Sequence, residues 1–424
     1  MRKDYYLGID LGTTTVAASL IEAGSSVPLF SASSLNLQYP YFGIDSIKRI
    51  QNGLDGPSVK RLQEKAVSTF NLLTEEIEKV AGIKCSEIKS LAVAGNTVME
   101  MALCGYPLKS LSKPPYRPLS EVFFPSITDF LPGLCPQGRE LFIFPVLDGF
   151  AGGDAVSSIY YLDMQKKERV IFFADFGTNV EIAVGNREKV YITSAPAGPA
   201  FEGGNISSGM TALPGAITGV KLKEGKFEFE VIGGESPAGL CGSGIMALVY
   251  SLLKEKVIDA TGRILPPEKV ASESYSIVHK GEDANEIILD FEKGKPLKFL
   301  QKDLRQFQLA KSAVKSASEI LMEKYKISAE SDFDVFISGS FGTHIDPSVI
   351  DLLDIFPFKE KKINFIEGSV LSGCLKYLSS EKKERSDEIK KIITLSKNFP
   401  LSGSSLFEKR FIANIDFLHA SALP

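Results

Sequence analysis

The fold is decided by YYLGIDLGTTTVAASLIE at residues 5–22 and by RVIFFADFGTNVEIAVGN at residues 169–186. Each stretch is an apolar run that ends in Asp-x-Gly-Thr and continues into a second apolar run. This pattern predicts a strand, a tight turn and a returning strand. Two copies in one chain predict two lobes of similar topology that face one cleft.

The two Gly-Thr turns have the composition of a phosphate-binding site. Small residues allow backbone N–H groups to approach phosphate oxygens, and an aspartate at a strand end can hold Mg²⁺, largely through water. A single Asp-x-Gly-Thr is more simply a capped turn, but two matching copies favour phosphate binding. We therefore expect triphosphate contacts from Gly12, Thr13, Thr14, Gly177, Thr178 and Asn179, and Mg²⁺ contacts from Asp10 and Asp175.

Other nucleotide-binding motifs are absent from the sequence. No Gly-x-x-x-x-Gly-Lys-Ser/Thr motif occurs, and the glycines here do not open a helix, as they would in a dinucleotide-binding fingerprint.

The remaining periodicity predicts helices at 58–80, 150–162 and 303–325, hairpins near 216–232 and 275–290, and a solvated helix face at 381–391. Eight prolines between 106 and 145 predict an extended surface excursion.

Composition narrows the class of protein. The chain has 424 residues, 44% hydrophobic and 24% charged, which is typical of a folded protein of two or three domains. A net charge of −4 argues against nucleic-acid binding. No stretch resembles a signal peptide or a membrane span, which predicts a cytoplasmic location with no membrane partner. Five cysteines without a Cys-x-x-Cys pair predict reduced thiols.

Five ordered segments resemble the motifs of the actin, hexokinase and heat-shock chaperone (ASKHA) ATPases. They are Asp10–Thr15, Phe150–Tyr160, Asp175–Glu181, Val335–Thr343 and Glu367–Leu378. The resemblance implies an α/β, two-lobed, ribonuclease H-like fold with a nucleotide cleft between a lobe at 1–165 and a lobe at 166–380. Residues 381–424 would then pack back on the lobes.

The same resemblance implies roles for individual residues. Asp10 and Asp175 would hold the Mg²⁺ shell, and Asp154 and Glu181 would orient the attacking water. Asp154 could equally cap a helix, and Lys311, which resembles a base- or ribose-contacting lysine, could equally be solvated. Three residues would lie against the adenosine: Gly339, Ser340 and Gly342.

Further segments look like the reductive activators of corrinoid enzymes. They are LNLQYPYFGIDSIKRI (35–50), VAGNTVMEMAL (93–103), AGPAFEGGNISSGMTALPGAI (197–217), AGLCGSGIMAL (238–248) and QKDLRQFQLAKSAV (301–314). Such proteins use ATP to return cob(II)alamin on a corrinoid protein to cob(I)alamin. Many also carry a ferredoxin-like [2Fe–2S] domain, whose cysteine spacing is missing here. We therefore expect no iron–sulfur cluster in this chain. Either a separate electron-donor protein delivers the electron, or the chain only couples ATP to a conformational change.

Two other functions fit the same fold. A small-molecule kinase would use Asp148 or Asp154 as its catalytic base, and a nucleotide-bound scaffold would show little turnover. A homodimer in which Cys104 and Cys135 bridge a cluster is also left open. Cys241 reads most simply as a buried thiol.

Overall fold

The structure is a computed structural model that describes residues 4–43, 45–119, 127–289, 296–339 and 345–417. The chain forms two compact units. Unit 1 comprises Met1–Ile171, Ala183–Thr193 and Gly368–Pro400, and unit 2 comprises Phe172–Ile182, Ser194–Glu367 and Leu401–Pro424. The lobe boundaries at 165 and 380 stay a prediction.

A five-stranded sheet in unit 1 has the order β3–β2–β1–β4–β5. Its strands are β1 Tyr5–Leu11, β2 Thr15–Glu22, β3 Phe30–Leu35, β4 Ile88–Gly95 and β5 Glu140–Ile143. The opening stretch is the predicted hairpin, since β1 pairs antiparallel with β2. On its other side, β1 runs parallel to β4. The buried faces of these strands and of the long helix at 56–81 form one hydrophobic core.

Helices complete unit 1. They are α1 Tyr39–Phe42, α2 Ser46–Gln51, α3 Gly56–Ala81, α4 Thr97–Leu103, α5 Gly153–Tyr161, α9 Ser369–Ser379 and α10 Lys382–Leu395. The helices predicted at 58–80, 150–162 and 381–391 are thereby confirmed as α3, α5 and α10. Asp55 and Ser58 form a capping box at the start of α3, and Gly82, with φ +67°, ends it.

A six-stranded sheet has the order β16–β15–β6–β7–β8–β17. Its strands are β6 Ile171–Phe176, β7 Val180–Gly185, β8 Val190–Ala195, β15 Asp334–Gly339, β16 Ile363–Phe365 and β17 Ser396–Asn398. The order β8–β7–β6–β15–β16 matches β3–β2–β1–β4–β5. Asp10 and Asp175 are each the penultimate residue of the central strand, so the internal repeat is structural as well as sequential.

Two small sheets and four helices of unit 2 fill the remainder of the described chain. The strands are β9 Ala216–Lys223, β10 Lys226–Val231, β11 Gly239–Leu240, β12 Val278–Lys280, β13 Asn285–Leu289 and β14 Leu297–Leu300. The helices are α6 Gly242–Lys254, α7 Gln301–Tyr325, α8 Pro347–Leu352 and α11 Ser405–Ala413. The hairpins β9–β10 and β12–β13 and the helix α7 confirm the predictions for 216–232, 275–290 and 303–325.

The segment predicted as a surface excursion, 106–145, is exposed at many of its described residues but is also anchored to the core. Four leucines that punctuate the prolines are buried in the unit 1 core, and β5 pairs in parallel with β4. The prolines break regular helices, but they do not prevent the leucines between them from anchoring the segment to the core. The leucines are Leu108, Leu111, Leu131 and Leu134.

The expectation of reduced thiols was wrong for two of the five cysteines. Cys85 and Cys135 form a disulfide with a Cα–Cα distance of 6.1 Å, which lies within the range that such bonds require. Fifty positions separate them in sequence, so their pairing depends on tertiary packing and leaves no spacing signal. The other thiols are free, with Cys241 and Cys374 buried and Cys104 half-buried.

Candidate functional site

The first Gly-Thr turn, Gly12–Thr14, follows β1 in unit 1 and is called turn 1. Asp10 is half-buried, Thr13 is buried and Thr15 is exposed. The Asn96 amide donates to Thr13 Oγ1 at 2.9 Å, while the Asn96 Oδ1 accepts the Met99 N–H and caps α4. The N–H groups of Thr13 and Thr14 donate to no other described residue. Turn 1 thus offers backbone donors to an anion.

The second turn, Gly177–Asn179, follows β6 in unit 2 and is called turn 2. Burial raises the pKa of the Asp175 carboxyl to about 6, a hydrogen bond with Ser338 opposes that rise, and the Glu202 charge adds to it. Thr178 Oγ1 donates to Glu202 Oε2 at 2.6 Å. Asp175 is still mostly ionised at neutral pH, so it remains able to face a cation.

The two predicted water-orienting acids lie in different units. Asp154 stands in the first turn of α5 in unit 1, where its Oδ1 accepts the N–H of Ala155 at 2.7 Å. Glu181 is in β7 in unit 2, and its Oε1 accepts the Ser194 hydroxyl at 2.7 Å. Each acid therefore belongs to the same unit as one of the two turns.

A buried acid that the sequence reading missed lies beside Asp154. Glu100 of α4 is fully buried, and its Oε1 accepts the Gly95 N–H at 3.0 Å. Burial raises its pKa well above the usual range, and the Asp154 charge adds to the rise, while N–H groups of Gly95 and Gly153 oppose it. The segment VAGNTVMEMAL contains both Glu100 and Asn96, but its apolar pattern indicates only a buried helix.

The adenosine motif is described only at its beginning. Gly339, the last residue of β15, has a φ of +105°, and a Cβ there would overlap the backbone of Phe176. Only glycine allows this approach, which brings the end of β15 against the strand that carries Asp175. Ser340 and Gly342 lie outside the described residues.

Lys311 of α7 is fully buried, and its ammonium donates to the Asp416 carbonyl at 2.6 Å. Burial lowers its pKa to about 8, although the charge of Asp354 partly opposes this. The adjacent Gln308 also bonds to this segment, through the Ile415 carbonyl at 3.1 Å. In this structure the lysine therefore secures the segment that follows α11.

Asp148, the alternative catalytic base, is engaged in structural bonds. Its two carboxylate oxygens accept the Gly149 N–H at 2.7 Å and the Asn398 amide at 3.1 Å. Across the described ranges, no cluster of three or more His, Cys, Asp or Glu side chains could hold a metal ion. No helix in the described part of the chain is both long and apolar enough to cross a membrane.

Comparison with known proteins shows the type of domain that the chain contains and the family to which it belongs. The model described as "C-terminal domain of RACo the ASKHA domain" matches residues 169–424, and "RACo middle region" matches 5–167. The chain thus contains an ASKHA domain, which confirms the predicted fold class. It belongs to the RACo family, the family of reductive activators of corrinoid proteins.

Three relatives support this assignment. The corrinoid activation enzyme RamQ of Eubacterium limosum is 31% identical over 425 residues, which cover 97% of this chain and 70% of RamQ. The [Co(II) methylated amine-specific corrinoid protein] reductase of Methanosarcina barkeri is 25% identical over 302 residues, covering 66% of this chain and 52% of the reductase. A solved reductive activator for corrinoid,iron-sulfur protein superposes with a TM-score of 0.89 and 28% identity, covering 99% of this chain and 67% of its own.

Proposed function

We propose that this chain binds MgATP and couples its nucleotide state to the reductive reactivation of a corrinoid protein, from Co(II) to Co(I). The electron would come from a separate donor protein. The observation that carries the proposal is the similarity over 97% of the chain to a corrinoid activation enzyme, together with the ASKHA domain. RamQ is named as a corrinoid activation enzyme, and the relative from Methanosarcina barkeri is named as a reductase of a corrinoid protein.

The residues present fit a magnesium–nucleotide complex. Turn 1 presents two unbonded backbone N–H groups after Asp10, and turn 2 follows the ionisable Asp175 in the equivalent strand. The phosphates would be held by Gly12, Thr13, Thr14, Thr15, Gly177, Thr178 and Asn179. Asp10 and Asp175 would hold Mg²⁺, largely through water, because Mg²⁺ keeps much of its hydration shell.

The adenosine would lie along the end of β15. Gly339 packs directly against the backbone of Phe176, so this end of β15 is adjacent to the strand end that leads into turn 2. We propose Gly339, Ser340 and Gly342 as the contacting residues. A contact from Lys311 would require its ammonium to exchange the Asp416 carbonyl for the nucleotide.

The catalytic acids would orient the water that attacks the terminal phosphate. Asp154 and Glu181 each accept a hydrogen bond within their own unit, which limits the orientations that the two carboxylates can take. MgATP, when bound, supplies the free energy of phosphate hydrolysis. Nucleotide state can promote reduction only if the partner binds the two states of the chain with different affinity.

The proposal is tested by nucleotide-dependent capture of the partner. Wild-type chain, Asp10→Ala, Asp175→Ala and the exposed control Asp283→Ala are incubated with native lysate, with and without a slowly hydrolysed ATP analogue. Wild type and the control should retain a cobalamin-containing protein only with the analogue, and the two site variants should lose this dependence. Equal capture with and without the analogue would contradict the proposal.

A further inference from the structure

Turn 1 is fixed by hydrogen bonds from Asn36 and Arg49, which lie in the segment that follows β3. Three consecutive carbonyl oxygens of the turn accept hydrogen bonds from this segment. Asn36 Nδ2 donates to the Gly12 carbonyl at 2.9 Å, and the Asn36 backbone N–H donates to the Thr14 carbonyl at 2.8 Å. Arg49 Nη2 donates to the Thr13 carbonyl, between them, at 3.0 Å.

The hydrogen bonds to the carbonyls of Gly12 and Thr13 determine the direction in which the N–H groups of Thr13 and Thr14 point. In a trans peptide, the C=O and the N–H of one peptide unit point in opposite directions. Because the carbonyls of Gly12 and Thr13 face Asn36 and Arg49, the N–H groups of Thr13 and Thr14 face away from them. Neither of these two N–H groups donates to another described residue. Backbone donors left in this way require an outside acceptor.

Arg49 is an unusual residue to find behind a turn. Its side chain is fully buried, and burial lowers its pKa only to about 10, so the guanidinium is charged at neutral pH. Its remaining donors go to neutral acceptors: Nε donates to the Gly43 carbonyl at 2.8 Å, and Nη1 donates to Gln38 Oε1. No described carboxylate forms an ion pair with the guanidinium, and the charge of Asp45, just before α2, only partly opposes the lowering of its pKa by burial.

Burying a cation without an ion-paired carboxylate has a desolvation cost that opposes folding. A neutral side chain such as glutamine could bond to the Thr13 carbonyl without that cost. The charge becomes favourable when an anion approaches the other side of the turn, because Coulomb attraction is strong in a poorly solvated site. A polyphosphate bound on the N–H groups of Thr13 and Thr14 is such an anion.

We propose that Arg49, assisted by Asn36, is a positioning residue of the nucleotide site, acting through the turn 1 carbonyls to aim the turn's N–H groups at the phosphates. The inference rests on the proposed function, because it assigns the ligand as the polyphosphate of a nucleotide. It adds Asn36 and Arg49 to the site as residues that support turn 1. Arg49 itself touches no phosphate.

The test separates phosphate recognition from general folding. Binding of MgATP and of adenosine is measured by calorimetry for wild type, Arg49→Met, Arg49→Lys and the exposed control Arg61→Met, with melting curves to verify folding. Arg49→Met should weaken MgATP at least tenfold and change adenosine affinity less than twofold. Arg49→Lys, which keeps the charge but loses the planar fork, should fall between Arg49→Met and wild type.

The other outcomes of the binding measurements distinguish failure of the inference from failure of the proposed function. If wild type binds MgATP and Arg49→Met binds it within twofold, the inference is overturned while the proposed function stands. An equal loss of MgATP and adenosine affinity would also overturn it, since the residue would then act on the fold as a whole. If Arg49→Met does not fold, the same comparison is made with Arg49→Lys. Failure of wild type to bind MgATP would instead remove the proposed function.

Discussion

At the scale of single residues, two glycines of unit 1 allow the buried Glu100 carboxyl to reach the backbone. Glu100 accepts N–H groups from Gly95 and Gly153, and a Cβ on Gly153 would overlap its carboxyl. The carboxyl thereby joins the end of β4 to the start of α5, next to Asp154. A neutral carboxylic acid can do this at lower cost than a buried carboxylate.

Glu100 makes the stability of the protein dependent on pH. Its pKa is raised in the folded state, so its contribution to stability is complete below the ordinary glutamate pKa and is lost as the pH rises through the folded value. Glu100→Gln should therefore flatten the pH dependence of unfolding above pH 5, while the exposed control Glu76→Gln should not. Denaturant titrations across pH 4–9 measure this, and an unchanged slope in Glu100→Gln would contradict it.

Lys311 is expected to give a pH dependence of stability with the opposite sign to that of Glu100. Its pKa is lowered to about 8 in the folded state, so the unfolded chain binds more protons above that pH. Stability should therefore rise between about pH 8 and pH 10, and Lys311→Met should abolish the rise. The same titrations extended to pH 10 measure it. A wild-type profile that is flat in this range would show that the buried ammonium is not strained.

At the scale of elements, α5 and α9 cross closely within unit 1. A Cβ on Gly373 of α9 would overlap Ser157 of α5. Two hydrogen bonds secure the crossing: Ser157 Oγ donates to the Val370 carbonyl at 2.8 Å, and the Ser158 and Ser369 hydroxyls lie 2.9 Å apart. Small residues thus set the separation of the two helices.

Gly373→Ala should force the two helices apart. We expect it to lower the free energy of unfolding by about 1–3 kcal/mol, the usual cost of overpacking. Gly56→Ala is the matched control, because a Cβ at the first residue of α3 would meet open space. Thermal unfolding of both variants checks this. A Gly373→Ala variant as stable as Gly56→Ala would show that the crossing is not tightly packed.

The elements that the sequence predicts well are those with a repeating local signal. The strand–turn–strand repeats and helices α3 and α7 follow from apolar periodicity, α5 from a stretch that begins with small residues, and α10 from a run of charged residues. The Pro-rich segment does not, because the burial of Leu131 and Leu134 depends on contacts with distant elements. The Cys85–Cys135 disulfide and the Arg49 contact with turn 1 are tertiary for the same reason, and neither has a spacing signature.

At the scale of the whole molecule, each unit contains one copy of the internal repeat. In each copy an aspartate near the end of the central strand, Asp10 of β1 or Asp175 of β6, is followed by a Gly-Thr turn. Turn 1 and Asp154 belong to unit 1, and turn 2, Glu181 and the beginning of the adenosine motif belong to unit 2. The residues proposed to bind the nucleotide are thus divided between the two units.

The most direct test of this account is the rate of Co(I) formation on the captured corrinoid protein. A limiting titanium(III) reductant supplies the electron, and cobalamin absorbance is followed with and without MgATP, using wild-type chain, Asp175→Asn and the control Asp283→Asn. The account predicts Co(I) formation that requires both the chain and MgATP, that persists in the control and that is lost in Asp175→Asn. Co(I) forming at the same rate without MgATP, or with Asp175→Asn, would contradict it.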